Sequence, residues 1–166
     1  RRPHGRLALP DVPLSATDGR TLRFSSEVLA GRLVALDVVF AGCTTVCPIS
    51  SRIMRAAQGA LPAELAARAR FVSLTFDPEA DTPARLAAYA AAVAPAPSPE
   101  WLWLTGEPRA VRQVLARLRA VAGGDPNNHA PVLYAGDAAT GRFVEFFGLP
   151  TAEEVVGVLQ AAAGTA

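Results

Sequence analysis

The stretch Phe40-Ala41-Gly42-Cys43-Thr44-Thr45-Val46-Cys47-Pro48 holds both cysteines of the chain and joins an apolar run to a helical pattern. A turn from strand to helix sets the two thiols beside free backbone N–H groups and the positive end of a helix dipole, which favour thiolate over thiol. Three residues separate the cysteines, one more than in the usual redox motif, and on a helix that separation puts both sulfurs on one face. Such a pair suits a thiophilic metal. It also suits a disulfide, because helical Cα atoms four residues apart lie about 6 Å from each other. Metal binding and redox chemistry both stay open on these residues, against the plainer reading of two small buried hydrophobes. Cysteines this close in sequence cannot staple distant parts of a fold.

Working outward, Arg32–Phe40 is nearly continuous in Leu and Val, as a strand buried on both faces of a sheet would be. Asp37 interrupts it. A charge on a central strand is costly unless it is protonated, partnered or at a wet edge, and a desolvated carboxyl with a raised pKa can move protons in thiol–disulfide exchange. Asp37 is therefore a candidate proton shuttle. Downstream, Pro48 fits the first turn of a helix running to about Ala60, and a short helical piece is predicted over Ala63–Arg70. Phe71–Phe76 reads as the next strand, ending at Asp77-Pro78-Glu79-Ala80-Asp81-Thr82-Pro83. There Asp81 or Thr82 can cap a helix carrying Leu86, Tyr89 and Val93. Asp77, at a strand end near the cysteines, is ordinary turn chemistry or a group that supports a site ligand through a hydrogen bond.

Trp101–Thr105 predicts a third strand, and Glu107–Val121 a helix. Gly123–Asn128 forms a long turn ahead of His129, which precedes the strand Pro131–Tyr134. Asp137–Gly141 reverses that strand into Arg142–Phe147, and Thr151-Ala152-Glu153-Glu154 is a capping box opening the last helix. On the upstream side, residues 1–13 read as a flexible lead-in to a single domain over 14–166. Asp18-Gly19, between alternating residues, signals a hairpin, and Ser25 or Ser26 can cap a short helical turn. Strands alternating with helices, then a hairpin, predict an α/β fold with a central mixed sheet flanked by helices. Reactive groups in such sheets gather beyond the carboxyl ends of the central strands.

With 166 residues, about half of them apolar, the chain can bury one sizeable core. Its formal net charge of +1, without a basic stripe, argues against nucleic acid as a partner. No apolar run reaches the roughly 20 residues of a spanning helix. The start at Arg1 leaves a signal or anchor segment to be expected upstream.

Three separated stretches together resemble the Sco/SenC family of thioredoxin-fold copper proteins: F-x-x-C-x-x-x-C-P at Phe40–Pro48, the Asp77–Pro83 segment D-P-E-x-D-T-P, and Asn128-His129 before a strand. The resemblance implies a thioredoxin-like fold with an N-terminal β-hairpin extension. It implies copper held by Cys43, Cys47 and His129. The implied role is a metallochaperone delivering copper to the binuclear copper site of a respiratory oxidase. The implied partners are the copper-site subunit of that oxidase and a second copper chaperone or thioredoxin-like reductant. The implied setting is periplasmic or otherwise extracytoplasmic, with the full-length protein anchored to the membrane. Two thiolates and an imidazole also suit copper on their own chemistry. Zinc is the competing metal, although no Glu or second His is placed to act on a bound water. The alternative function is a thiol–disulfide oxidoreductase that keeps acceptor cysteines reduced, with Cys43 and Cys47 as the redox pair and Asp37 beside them. Pro131 falls near the position where thioredoxin-like proteins resemble one another in a cis-proline.

Overall fold

The apolar run around Asp37 forms β4 (Leu33–Val39), and all seven of its residues are buried, which requires cover on both faces of the sheet it belongs to. The structure is a computed structural model and describes residues 2–44, 46–96, 98–118 and 131–164. Around β4 lie β1 (Arg2–Arg6), β2 (Pro13–Ala16), β3 (Thr21–Arg23), β5 (Ala69–Thr75), β6 (Trp101–Thr105), β7 (Val132–Asp137) and β8 (Arg142–Phe147). They make one mixed sheet in the order β1-β8-β7-β4-β5-β6-β2-β3. β4, β5 and β6 run parallel, and β7 runs antiparallel to β4. The helices are α1 (Val46–Ala60), α2 (Ala63–Ala66), α3 (Pro83–Val93), α4 (Pro108–Arg117) and α5 (Ala152–Gly164). This is the α/β architecture expected from the sequence.

The parallel strands decide where chemistry can sit. β4 leads through the cysteine turn into α1, and β5 leads through Asp77 into α3, so both connections leave the same end of the sheet. Because β7 is antiparallel, with Leu133 opposite Asp37, it enters the sheet at that same end. Packing beneath is dense: Trp101 and Trp103 stack at 4.9 Å between ring centroids, and Tyr89 meets Trp103 edge-on at 6.0 Å. The tryptophans are core residues. Phe146 is buried, whereas Phe147 is exposed.

Local chemistry follows the expected rules at most boundaries. Gly19, at φ +90°, turns β2 into β3, while the Asp18 carboxylate accepts from Arg20 N at 3.0 Å. β2 then pairs with β6, so the hairpin extends the sheet. At α5 the capping box closes both ways, Glu154 N donating to Thr151 Oγ1 and Thr151 N to Glu154 Oε1, each at 3.2 Å.

Three expectations differ from what is observed. Arg2–Arg6, inside the expected flexible lead-in, pairs as β1 with β8; an open sheet edge can be met by any backbone, so side-chain pattern gave no sign of it. Neither Ser25 nor Ser26 caps a helix. Phe24–Leu29 forms a π-helical turn without a side-chain cap, because Ser26 N and Oγ both donate to the Asp11 carboxylate, at 2.8 and 3.0 Å to Oδ1. The piece expected over Ala63–Arg70 is helical only to Ala66, since β5 already begins at Ala69. His129 lies outside the described residues, as does the residue preceding Pro131.

Candidate metal centre

β4 ends at Val39, and Cys43 N donates to Phe40 O at 3.0 Å, folding the chain back toward α1. Cys43 stands just ahead of that helix and Cys47 lies in its first turn. Cys47 N donates to Cys43 Sγ at 3.4 Å. This is the helix-terminus N–H group anticipated from the sequence, spent on a sulfur rather than on water. The two thiols are not bridged, and both are buried, with Gly42 and Thr44 exposed beside them.

Burial outweighs the helix terminus at Cys47. Desolvation pushes its thiol well up, and the neighbouring Cys43 and Asp37 add to the effect, against a lowering contribution from the Phe40 backbone. The expectation that the helix start favours thiolate therefore fails at Cys47. The sequence pattern locates a helix terminus but not how much water reaches it.

Asp37 sits fully buried beneath the pair. Ser73 Oγ donates to its Oδ1 at 2.5 Å and Ser50 Oγ to its Oδ2 at 2.7 Å, while Trp101 Nε1 donates to Ser73 Oγ at 3.1 Å. Desolvation raises its pKa to about 6, and the two serine bonds pull the other way. Ser50 stands on α1 three residues after Cys47, so the carboxyl is tied directly to the cysteine helix. Its partners are hydroxyls, with no arginine among the described residues.

Asp81 organises the turn from the side. Its Oδ2 accepts from Ala41 N at 3.1 Å and from Thr75 Oγ1 at 2.7 Å, and its carbonyl accepts from Thr105 Oγ1 at 2.7 Å. Arg85 Nε lies 3.6 Å from Asp81 Oδ1, and a Cβ on Gly42 would meet the Arg85 guanidinium at 3.6 Å. The cysteine turn is thus tethered to β5 and β6 and flanked by a cation. Thr82, not Asp81, caps α3, with its Oγ1 accepting from Arg85 N at 3.2 Å. The sequence offered either Asp81 or Thr82 as the cap; Thr82 is the one that caps, and the tether from Asp81 to the cysteine turn was missed. The signal was the Asp four residues after Asp77 in a segment reaching the cysteine end.

Asp77 follows β5 at the expected end of the sheet and is half-buried. Its N–H donates to Thr75 Oγ1 at 3.0 Å, and its carbonyl accepts from Asp81 N at 2.9 Å. Its carboxylate takes no hydrogen bond from the described residues. The structure therefore brings together Cys43, Cys47 and Asp37, with Asp77 at the same end of the sheet. Among the described residues no group of three or more His, Cys, Asp or Glu side chains is placed to hold a metal. No helix there is long and apolar enough to cross a membrane.

Known proteins are similar to this chain in sequence and fold. The SCO1/SenC family model matches residues 11–154. The crystal structure of a SCO1/SenC family lipoprotein from Bacillus anthracis superposes with a TM-score of 0.78 at 22% identity, covering 98% of each chain. Copper-bound ScoI of Bradyrhizobium japonicum superposes with a TM-score of 0.64 at 25% identity, covering 93% of this chain and 99% of that one. A protein of Stutzerimonas stutzeri whose name proposes copper binding is 38% identical over 82 residues, 49% of this chain and 39% of its own length. The match thus spans well under half of that relative.

Proposed function

The chain belongs to the SCO1/SenC family, and from that premise we propose that it is a copper-binding metallochaperone whose cargo is held by Cys43, Cys47 and His129. One observation carries the reading: two unbridged cysteines one helical turn apart, with Cys47 N donating to Cys43 Sγ. The donor set fits the ion. Thiolates are soft ligands that select cuprous copper, an imidazole suits either oxidation state, and a three-donor set leaves room for an incoming ligand from an acceptor. In this reading Asp77, which follows β5 at the end of the sheet that carries the cysteine turn, supports the set by a hydrogen bond to His129. Delivery runs by exchange: an acceptor thiolate or imidazole adds to the metal, and Cys43 or Cys47 leaves and takes up a proton. The acceptor is the binuclear copper site of a respiratory oxidase, and the setting is extracytoplasmic, with the full-length protein membrane-anchored.

Anaerobic copper titration of the fully reduced protein tests this, for wild type, Cys43→Ala and His129→Ala. The expected result is one tight copper per chain, with thiolate-to-copper charge-transfer bands lost in Cys43→Ala and altered in His129→Ala. Weak binding by wild type would refute the chaperone reading. An unchanged spectrum and affinity in His129→Ala would remove that residue from the ligand set.

A second reading rests on Asp37, buried, hydrogen-bonded to the cysteine helix and titrating near neutrality. In a thiol–disulfide oxidoreductase the two thiols would be oxidised to a disulfide as an acceptor disulfide is reduced to two thiols. Asp37 would accept a proton from the attacking dithiol. Slower exchange in Asp37→Asn at unchanged copper affinity supports this reading; an unchanged rate removes it.

A further inference from the structure

The C-terminal half of α5 does not close onto the sheet beside it. Val158, Ala161 and Ala162 of the helix, Ala135 and Gly136 of β7 and Val144 of β8 line a groove of about 470 Å³ that reaches Gly5 on β1. Side chains this small cannot fill the space between a helix and a sheet to the density of a core, so the gap stays open. Its volume lies within the roughly 300–1,000 Å³ of small-ligand sites. At about 30 Å³ per water-sized group, it has room for roughly a dozen methylenes and a carboxylate.

One end of the groove is cationic. Arg6 and Arg142 both line it, and they are direct register partners across β1 and β8. Residues opposed in this way share a face of the sheet with Cβ atoms about 5 Å apart, where like charges repel. Both residues are exposed, and the ion pairs of the described residues are made by other arginines. Asp137 stands opposite Arg142 on β7, but its Oδ1 accepts from Ala139 N at 2.8 Å. Two guanidiniums therefore stand beside one carboxylate that is already engaged. None of the other lining residues has a polar side chain. Asp137 also pairs with Leu33, the first residue of β4, so the arginines lie at the end of the sheet away from the cysteine turn.

We propose that this groove binds a medium-chain fatty carboxylate, with the carboxylate between Arg6 and Arg142 and the chain laid along α5 against Ala135, Val144 and Val158. The charge and the shape select the same molecule. A guanidinium fork meets a carboxylate in two parallel hydrogen bonds, and one anion between the two arginines relieves their repulsion. The apolar walls then take an aliphatic chain out of water. The site is independent of the copper reading and stands or falls without it.

Isothermal titration calorimetry with sodium dodecanoate, below its micelle concentration, tests this on wild type, on the double variant Arg6→Gln/Arg142→Gln and on Ala161→Phe. Octanoate, inorganic phosphate and dodecyltrimethylammonium serve as comparison probes. Wild type should bind one dodecanoate per chain, and affinity should fall at least about tenfold in the double variant, which loses the charge-assisted hydrogen bonds. Octanoate should bind at least about tenfold more weakly, because each buried methylene adds to affinity. Ala161 is exposed on α5, and a phenyl ring there should fill the groove and abolish binding; if that variant fails to fold, the arginine pair decides. Absence of saturable binding by wild type, or unchanged affinity in the double variant, would overturn the proposal. Octanoate or phosphate binding as tightly as dodecanoate would also overturn it, by showing an anion site without a chain groove. Equal binding of the ammonium amphiphile would do so by showing apolar adsorption that ignores charge.

Discussion

Replacing Asp37 by Asn should make stability depend on pH in a way that only this carboxyl can cause. In the folded chain burial lifts its pKa to about 6, against about 3.9 in an unfolded chain. The native state therefore binds a proton more tightly than the unfolded one. Asp37 contributes its full stability below about pH 4, where both states are protonated, and that contribution is lost as pH rises through 6. At roughly 1.4 kcal/mol per pH unit, the loss comes to about 3 kcal/mol. Asparagine is nearly isosteric, and its carbonyl can accept from Ser73 while its amide donates to a reoriented Ser50 hydroxyl. It does not titrate.

The assay is urea unfolding of the reduced, copper-free wild type and Asp37→Asn at a series of pH values from 4 to 7.5. The stability of the variant minus that of wild type should climb by about 3 kcal/mol over this range, most steeply between pH 4 and 6. Subtracting the two proteins cancels other carboxyls, such as Asp11, whose pKa is lowered to about 2, first by a backbone hydrogen bond from Ser26. A flat difference would refute the reasoning, because it would mean that the serine hydroxyls stabilise the carboxylate as fully as water does. A falling difference would place the Asp37 pKa below its unfolded value.

Asp81→Ala should destabilise the protein by roughly 2–4 kcal/mol, because it strips the acceptor from Ala41 N and buried Thr75 Oγ1 at once; urea midpoints measure this, and a loss below 0.5 kcal/mol would mean that the turn holds itself. Gly136→Ala should cost at least about 1–3 kcal/mol through overpacking, since the added Cβ would strike the Arg142 carbonyl and come within 2.7 Å of Phe143 Cα on β8. Its thermal unfolding midpoint should fall, and an unchanged midpoint would show that β7 and β8 can separate without penalty.

How far the molecule was legible in its sequence depended on whether the signal was local. The buried strand, the cysteine turn, the Asp18-Gly19 hairpin and the Thr151–Glu154 box are each set by neighbouring residues, and each formed where expected. Asp81 was misread because its partners Ala41 and Thr105 lie 40 and 24 residues away; an Asp before Thr-Pro looks like a cap until the fold brings them together. The partners of Asp37 were hidden for the same reason, with Ser50 and Ser73 located 13 and 36 residues along the chain. β1 could not be read because pairing with an edge strand asks nothing of side chains.

Burial of the cysteine pair bears on which of the two chemistries the site suits. A disulfide reductant needs thiolate at rest, since exchange rates follow the thiolate fraction of the attacking sulfur. At Cys47 desolvation works against that, so its resting state is the thiol. A metal site is under no such requirement. It needs thiolate only once the ion has arrived, and the metal–sulfur bonds themselves offset the cost of deprotonation. The backbone N–H from Cys47 to Cys43 Sγ is ready to stabilise charge on the first sulfur in either case. What differs is the second sulfur, which desolvation holds as the thiol. A protonated Cys47 is compatible with a metal site, where the arriving ion displaces its proton, and it leaves the rate of any disulfide exchange to whichever sulfur attacks.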